Sequence, residues 1–205
     1  MSEADKPQIY LVTPPELDLD VFPTRLAKVL DSAEVACLRM ALATRDEDKI
    51  LRAGDALREV AHARDVPLVI ETHVLMVERL GLDGVHLTNG ARSVRTVRKD
   101  LGTDAIVGAF CGASRHEGIG AGEAGADYVA FGPVGGSLGS GTLADQDLFG
   151  WWSEMIEIPV VAEAGLDEAL IRTLAPMTDF FAIGEEIWRQ DDAAAALKKL
   201  IAAMG

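Results

Sequence analysis

The chain has 205 residues, of which 49% are hydrophobic, so it carries enough apolar surface for a packed core and is not a disordered protein. Nineteen Lys and Arg against 33 Asp and Glu give a formal net charge of −14, which disfavours nucleic-acid backbones and anionic membranes as partners. The longest apolar runs are far shorter than the roughly 20 residues that cross a bilayer. The polar, acidic N-terminus is unlike a secretory signal. We therefore expect a cytoplasmic protein with no nucleic-acid or membrane partner.

Short β-branched runs bounded by turn residues recur along the chain and alternate with helix-period stretches, as in a parallel α/β fold. Strands are predicted at 8–13, 36–42, 67–71, 84–87, 105–111, 128–134, 159–165 and 179–184. The clearest helix is predicted at 46–65, where apolar residues recur on one face. Further helices are predicted to begin near Thr72, Ser93, Ser114, Gln146, Asp167 and Asp191.

Eight strands and about eight helices predict a single (β/α)8 TIM barrel over residues 1–205. A doubly wound open sheet is the alternative, but the turn after the first strand reads TPPELD and lacks the Gly-x-Gly-x-x-Gly pattern of dinucleotide-binding sheets. In a TIM barrel the functional residues follow the carboxyl ends of the strands. This rule selects, as residues of a ligand-binding mouth, Thr13, Arg39, Glu71, His73, His86, Cys111, Ser137, Glu163, Gly165, Gly184 and Glu185.

The predicted strands and their ends contain a series of segments that covers nearly the whole chain. These are IYLVTP, LR in the second strand, GLDGVHL, GEAGADYVAFGPV, WWSEMIEIPVVA and FFAIG. In this order they resemble the thiamin phosphate synthase and TenI family. The resemblance implies a TIM barrel that joins a pyrimidine diphosphate to a thiazole phosphate and releases pyrophosphate with Mg²⁺. The TenI-type members of that family instead aromatise the thiazole phosphate without a metal.

The resemblance also implies which site residues are kept and which are replaced. Arg39 corresponds to the family's arginine that contacts the diphosphate, whereas the lysine expected two residues later is Ala41. Thr72 stands where the family has a magnesium-binding aspartate, and residues 88–91, where the second acidic ligand is expected, contain no carboxylate. Loop 135–146 lacks the lysine that closes over the diphosphate. Because Mg²⁺ prefers carboxylate and phosphate oxygens, we expect no metal and no other cofactor.

The phosphate-binding end of the mouth is also altered. Such barrels hold phosphate on backbone N–H groups after the seventh strand and at the helix start after the eighth. Here the two turns read Glu163-Ala164-Gly165 and Gly184-Glu185-Glu186. Carboxylates at these N–H groups would compete with phosphate, so a small neutral or cationic ligand is expected in the mouth.

Individual side chains leave two interpretations open. Arg39 is a substrate clamp or one half of an ion pair with Glu71 or Glu163. His86 is a general base or a hydrogen-bonded core residue, and His73 belongs to the mouth or caps a helix at the surface. The cysteines lack metal spacing, so Cys111 is a buried apolar residue or a nucleophile.

Three further features are open in the same way. The loop containing Ser137 is a phosphate-binding loop or a surface loop. Glu163, Glu185 and Glu186 are receptors for a cationic group or helix caps. Of Trp151 and Trp152, one is expected to pack on the sheet and the other to lie near the surface, and a core or homo-oligomer contact is favoured over ligand stacking for this pair.

Taken together, the residues indicate a thiamin phosphate synthase-like protein with weak or no such activity. The alternatives are a non-catalytic paralogue and a barrel enzyme of changed specificity that binds a neutral or cationic small molecule. The residues selected for chemistry are Arg39, Glu71 and His73, with Glu71 and His73 as the acid/base pair.

Overall fold

The computed structural model describes residues 6–136 and 142–205. Eight parallel strands pair in chain order and β8 returns to pair with β1, which closes the barrel. The strands are β1 Gln8–Val12, β2 Cys37–Met40, β3 Leu68–Glu71, β4 Gly84–Leu87, β5 Ile106–Phe110, β6 Tyr128–Phe131, β7 Val160–Glu163 and β8 Phe180–Ile183. The predicted TIM barrel is confirmed, and the open-sheet alternative is wrong because each of these eight strands pairs with a neighbour on both sides.

The helices lie between the strands and after the last one. They are α1 Phe22–Leu30, α2 Glu47–His62, α3 Val74–Leu80, α4 Val94–Leu101, α5 Arg115–Glu123, α6 Gln146–Met155, α7 Glu168–Leu174, α8 Glu185–Trp188 and α9 Ala193–Ala202, with a 3-10 turn at Ala175–Met177. Every helix start predicted from the sequence lies within two residues of the observed one. None of the helices described here is long and apolar enough to cross a membrane.

Helix α1 was not predicted, and α8 was expected only as a helix start after the eighth strand, without bounds. The residue before α1 is Val21, and no side chain caps this helix, so the usual start signal is absent. Helix α8 has only four residues, which is too short for a periodic pattern. By contrast, Asp46 marks the start of α2 because its carboxylate accepts a hydrogen bond from the Lys49 backbone N–H at 3.1 Å.

Several predicted strands were too long, because the ladder of hydrogen bonds ends before the apolar run does. The sixth strand, predicted to reach Val134, stops at Phe131, and Pro133 after it has no N–H to donate. The residues beyond each strand, such as Thr13 and Gly165, belong instead to the loops that form the mouth.

The main core lies between the sheet and the helices, and Trp152 is one of its largest fully buried side chains. Trp151 is partly exposed, so the prediction that one tryptophan packs inward is confirmed. A smaller cluster fills the inside of the barrel and includes Tyr10 and Tyr128. Gly108 makes room for it, since a Cβ there would lie 2.0 Å from the Tyr128 ring.

Candidate functional site

Arg39 lies at the centre of the mouth, on β2, with only 6% of its surface exposed. Its Nη1 donates to Glu163 Oε2 at 3.0 Å, and its Nη2 donates to Glu163 Oε1 at 3.4 Å. Glu163 ends β7, three strands away around the barrel, so this two-pronged pair spans the mouth. Of the two interpretations of Arg39, the structure shows the ion pair.

Glu71, the last residue of β3, gives Arg39 a second, looser partner. Its Oε2 lies 3.5 Å from Arg39 Nε, yet Nε is a buried polar atom without a hydrogen-bond partner among the described residues. Glu71 therefore contributes charge rather than a well-formed hydrogen bond. Its side chain is 31% exposed, which places this carboxylate at the solvent side of the pair.

The electrostatics of the three groups follow from burial and proximity. Burial opposes the charge on Arg39, but the facing Glu163 carboxylate outweighs this effect, so the pKa of Arg39 is raised and it stays a cation. Burial also raises the pKa of Glu71, although the positive charge of Arg39 acts in the opposite direction. The Arg39 cation thus faces the carboxyl groups of Glu163 and Glu71 in a partly buried site.

His86 on β4 joins Arg39 to a chain of aromatic side chains inside the barrel. Its Nε2 lies 2.6 Å from Arg39 Nη1, and its Nδ1 lies 2.9 Å from the hydroxyl of Tyr128. A guanidinium only donates hydrogen bonds, so Nε2 is the acceptor and Nδ1 carries the proton that His86 donates to Tyr128. The Tyr128 hydroxyl lies 2.6 Å from that of Tyr10.

This arrangement favours the core interpretation of His86 over the general base. Burial, and secondarily the charge of Arg39, hold the pKa of His86 well below its usual value, so the ring is neutral. Its one free lone pair already accepts from Arg39. Taking a proton from a ligand would require that bond to break, so His86 fixes the position of Arg39.

The two tyrosines support the same position. Burial is the main cause that raises the pKa of both hydroxyl groups, which are therefore neutral. The guanidinium carbon of Arg39 lies 5.6 Å from the centroid of the Tyr10 ring, within cation–π range. Neither tyrosine was selected from the sequence, because Tyr10 lies two residues before the end of β1 and Tyr128 three residues before the end of β6.

Two other predicted residues, Thr13 and His73, lie outside this network. Thr13 ties β1 to β2, since its Oγ1 accepts from the Ala41 N–H at 3.0 Å and its N–H donates to the Arg39 carbonyl. His73 occupies the N-cap position of α3, but its side chain makes no capping hydrogen bond. Ser137 lies outside the described residues.

Cys111 follows β5 and is only 4% exposed. Burial raises the pKa of its thiol to about 12, and the nearby Glu117 acts in the same direction. Its sulfur donates weakly to the Ala109 carbonyl at 3.6 Å. A buried, protonated thiol is a poor nucleophile, so the apolar interpretation is favoured.

At the end of the mouth formed by the turns after β7 and β8, the structure differs from the prediction in which glutamate accepts the backbone hydrogen bonds. Glu185 turns outward and pairs with Arg189 four residues on, so it does not cap the start of α8. The capping carboxylate is Glu186, whose Oε2 accepts from the Gly184 N–H at 2.8 Å and whose Oε1 accepts from the Leu166 N–H at 3.4 Å. The sequence left this choice open because two glutamates follow Gly184.

Gly165 lies on the same side, where the loops after β6 and β7 touch. Its φ is +82°, and a Cβ there would lie 2.7 Å from the Gly135 carbonyl oxygen. A larger residue would push the two loops apart. Gly165 and Gly184 therefore shape the end of the mouth that Glu186 occupies.

The residues present do not fit the Mg²⁺ that the family resemblance implies. Thr72 and Thr88 offer only hydroxyls, 3.4 Å apart, and the carboxylates of Glu71 and Glu163 face Arg39. Within residues 6–136 and 142–205, no group of three His, Cys, Asp or Glu side chains could hold a metal. Thr72 also has a φ of +69°, a left-handed conformation that is rare for a β-branched residue and marks this strand end as strained.

Comparison with known proteins extends the resemblance over the whole barrel. The family described as thiamine monophosphate synthase matches residues 9–186. The chain is 38% identical over 192 residues to the thiamine-phosphate synthase of Rhodospirillum centenum, covering 92% of this chain and 93% of the relative. It is 36% identical over 206 residues to that of Erythrobacter litoralis, covering 95% of each.

Solved structures give the same fold. A thiamine phosphate pyrophosphorylase from Pyrococcus furiosus superposes with a TM-score of 0.80 at 20% identity, covering 96% of each chain. A 3-hexulose-6-phosphate synthase superposes with a TM-score of 0.68 at 16% identity, covering 97% of this chain and all of the other. At such identities the superpositions establish the barrel architecture alone.

Proposed function

This chain belongs to the thiamine monophosphate synthase family, and from that premise we propose that its mouth binds a small neutral or cationic molecule and that it has weak or no synthase activity. The observation that carries the proposal is the pairing of Arg39, the buried cation of the mouth, with Glu163 and Glu71. By the family resemblance, Arg39 corresponds to the arginine that contacts the diphosphate. Here its charge is already compensated.

The cost of freeing Arg39 for an anionic ligand is large. Breaking a buried ion pair costs about 3 to 5 kcal/mol, because the abandoned partner is left charged and poorly solvated. Glu163 would be that partner, with 14% of its side chain exposed. A diphosphate would have to recover this energy while facing two carboxyl groups, whereas a neutral or cationic ligand leaves the pair in place.

The other end of the mouth also favours a ligand without negative charge. The Glu186 carboxylate accepts hydrogen bonds from the Gly184 and Leu166 N–H groups, which lie in the turns where TIM barrels hold phosphate. A phosphate entering there would compete with a tethered carboxylate and be repelled by it. Both ends of the mouth thus disfavour the two anionic groups that the synthase reaction requires.

A second candidate function, a barrel enzyme of changed specificity, is favoured by Glu71. This carboxyl group is partly open to solvent, and burial raises its pKa towards the range in which a group can both take and give a proton. Arg39 is fixed beside it and could orient a polar substrate. In this role Glu71 would be the acid/base group, with His73 two residues further along the chain.

The direct test offers the two family substrates with Mg²⁺ and follows pyrophosphate release. We expect a rate equal to that without protein. Mg²⁺-dependent release that Arg39→Lys abolishes, in a variant with an unchanged circular dichroism spectrum, would overturn the proposal.

A parallel binding screen uses matched pairs of small molecules that differ only in carrying a carboxylate or an amine. Binding is followed by the amide signals of Arg39 and Glu163 in the mouth, where the amines should bind better and Glu71→Gln should reduce their advantage. A preference of the mouth for the carboxylates that Glu71→Gln leaves unchanged would contradict the electrostatic argument.

A further inference from the structure

A cavity of about 630 Å³ lies beside the mouth, between the loops that follow β1 and β2 and the first turns of α2. We refer to it as the β1–β2 cavity. Its volume lies within the usual range for small-molecule sites, and it opens on the face of the barrel where TIM barrels bind ligands. Arg39, Glu71 and Glu163 are not among its lining residues, so it is distinct from the mouth described above.

The floor of the β1–β2 cavity is apolar and firmly built. Leu17, Leu19 and Leu42 are partly buried side chains that pack against the main core, and Ala53 on α2 is 3% exposed. The two loops are tied together by a backbone hydrogen bond from the Ala43 N–H to the Pro15 carbonyl at 2.9 Å. Partly covered leucines around an ordered hollow favour a ligand with an apolar body.

The rim carries the opposite sign of charge to the rest of the protein. Lys49 and Arg52, one turn apart on α2, both line the cavity, and neither has an acidic partner within 4.0 Å among the described residues. Glu16 is the one acidic lining residue, and it does not pair with either of them. In a chain with a net charge of −14, two unpaired cations over an apolar floor form a local site for an anion.

The cations, rather than the helix end, provide this site. The Lys49 backbone N–H at the start of α2 already donates to its own cap, Asp46. Another acid of the first turn, Glu47, pairs with Arg79 on the neighbouring helix α3. An anion would therefore be bound by the side chains of Lys49 and Arg52, with the Thr44 side chain also at the cavity wall.

We propose that the β1–β2 cavity binds a small organic anion that has an apolar body and one charged group. The apolar body would cover the three leucines, and the charged group would lie between Lys49 and Arg52. This proposal does not depend on the proposed function of the mouth, because it uses other residues and the opposite ligand charge.

The test titrates the full chain, labelled with ¹⁵N, with phenyl phosphate, phenylacetate, inorganic phosphate and benzyl alcohol. We expect both aromatic anions to bind more tightly than inorganic phosphate or benzyl alcohol, with amide shifts at Leu17 and Ala43. Removing both charges in Lys49→Gln/Arg52→Gln should raise the Kd by about 2- to 30-fold, since an exposed ion pair contributes about 0.2 to 1 kcal/mol. Glu16→Gln should lower the Kd by about 1.4- to 5-fold.

Lys198→Gln is the matched control, because Lys198 is an exposed cation on α9, away from the cavity, and should leave the Kd unchanged. The proposal is overturned if the cavity variants bind the aromatic anions as the wild type does, or if Lys198→Gln weakens binding equally. Equal binding of inorganic phosphate and phenyl phosphate would also overturn it, because the apolar floor would then play no part. Binding that responds to Glu71→Gln but not to Lys49→Gln/Arg52→Gln would place the anions in the mouth and contradict both proposals.

Discussion

Replacing Glu186 by alanine tests whether its carboxylate closes the phosphate-binding end of the mouth. The variant removes the acceptor of the 2.8 Å hydrogen bond from the Gly184 N–H and of the weaker 3.4 Å bond from the Leu166 N–H. Hydrogen bonds to a charged group contribute about 1.5 to 3 kcal/mol when buried, and this end of the mouth is only partly buried. We expect a loss of about 1 to 2 kcal/mol in the free energy of unfolding, or about 2 to 8 °C in Tm for a chain of this size.

The same variant should gain an affinity that the wild type lacks. Two freed backbone N–H groups, that of Gly184 before α8 and that of Leu166 between β7 and α7, can bind an anion where the carboxylate was. If they bind inorganic phosphate with a Kd of about 1 mM, 10 mM phosphate restores about 1.4 kcal/mol of stability. The assay is thermal unfolding of wild type and Glu186→Ala with increasing phosphate at constant ionic strength.

Glu185→Ala provides the matched control, because Glu185 is the neighbouring glutamate but forms an exposed pair with Arg189. It should cost less than about 1 kcal/mol and should leave the response to phosphate unchanged. Two results would refute the reasoning: phosphate stabilises the wild type as much as Glu186→Ala, or Glu185→Ala costs as much as Glu186→Ala.

Four further predictions concern Arg39, two of its neighbours and the buried Cys111. Arg39→Gln should cost about 3 to 5 kcal/mol in urea unfolding, whereas Arg189→Gln, which removes an exposed pair, should cost less than about 1; equal costs would contradict the assignment of a buried pair. The ¹⁵N NMR spectrum at pH 6 should show His86 as the neutral ring with its proton on Nδ1, and an imidazolium signal would exclude the deduced hydrogen bonds. Because burial raises the folded-state pKa of Glu71 above its ordinary 4.5, its contribution to stability is full below that pH and is lost as the pH rises through the folded pKa. Glu71→Gln should therefore gain stability relative to wild type as the pH is raised from 4 to 7, and a constant difference would contradict this. The Cys111 thiol should react with a disulfide reagent at pH 8 only on unfolding, so rapid labelling of the folded protein would show that it is not buried.

The sequence by itself determined the architecture and the position of the mouth. Alternation of β-branched runs with helix-period stretches requires each strand to be covered by a helix, and eight such units close into a barrel. The predicted strand bounds also place Arg39, Glu71 and Glu163 at one end of the barrel, because the carboxyl ends of parallel strands lie together. Because an arginine is rarely buried without a partner, the sequence made an ion pair one of two interpretations of Arg39 and named Glu71 and Glu163 as its candidate partners.

Only the tertiary structure decided which groups actually touch. Glu163 rather than Glu71 forms the two-pronged pair with Arg39, because the closed barrel brings β7 within reach of β2, although 124 residues separate the two side chains. The tautomer of His86 follows from its contact with Arg39, a distance that no local pattern encodes. Glu186 rather than Glu185 caps the start of α8, because successive residues of a helix point in different directions. The Glu186 side chain reaches the Gly184 N–H, whereas that of Glu185 pairs with Arg189. Periodicity fixes which face a residue occupies, whereas the distance across a barrel depends on register and closure, which arise only when all eight strands are in place.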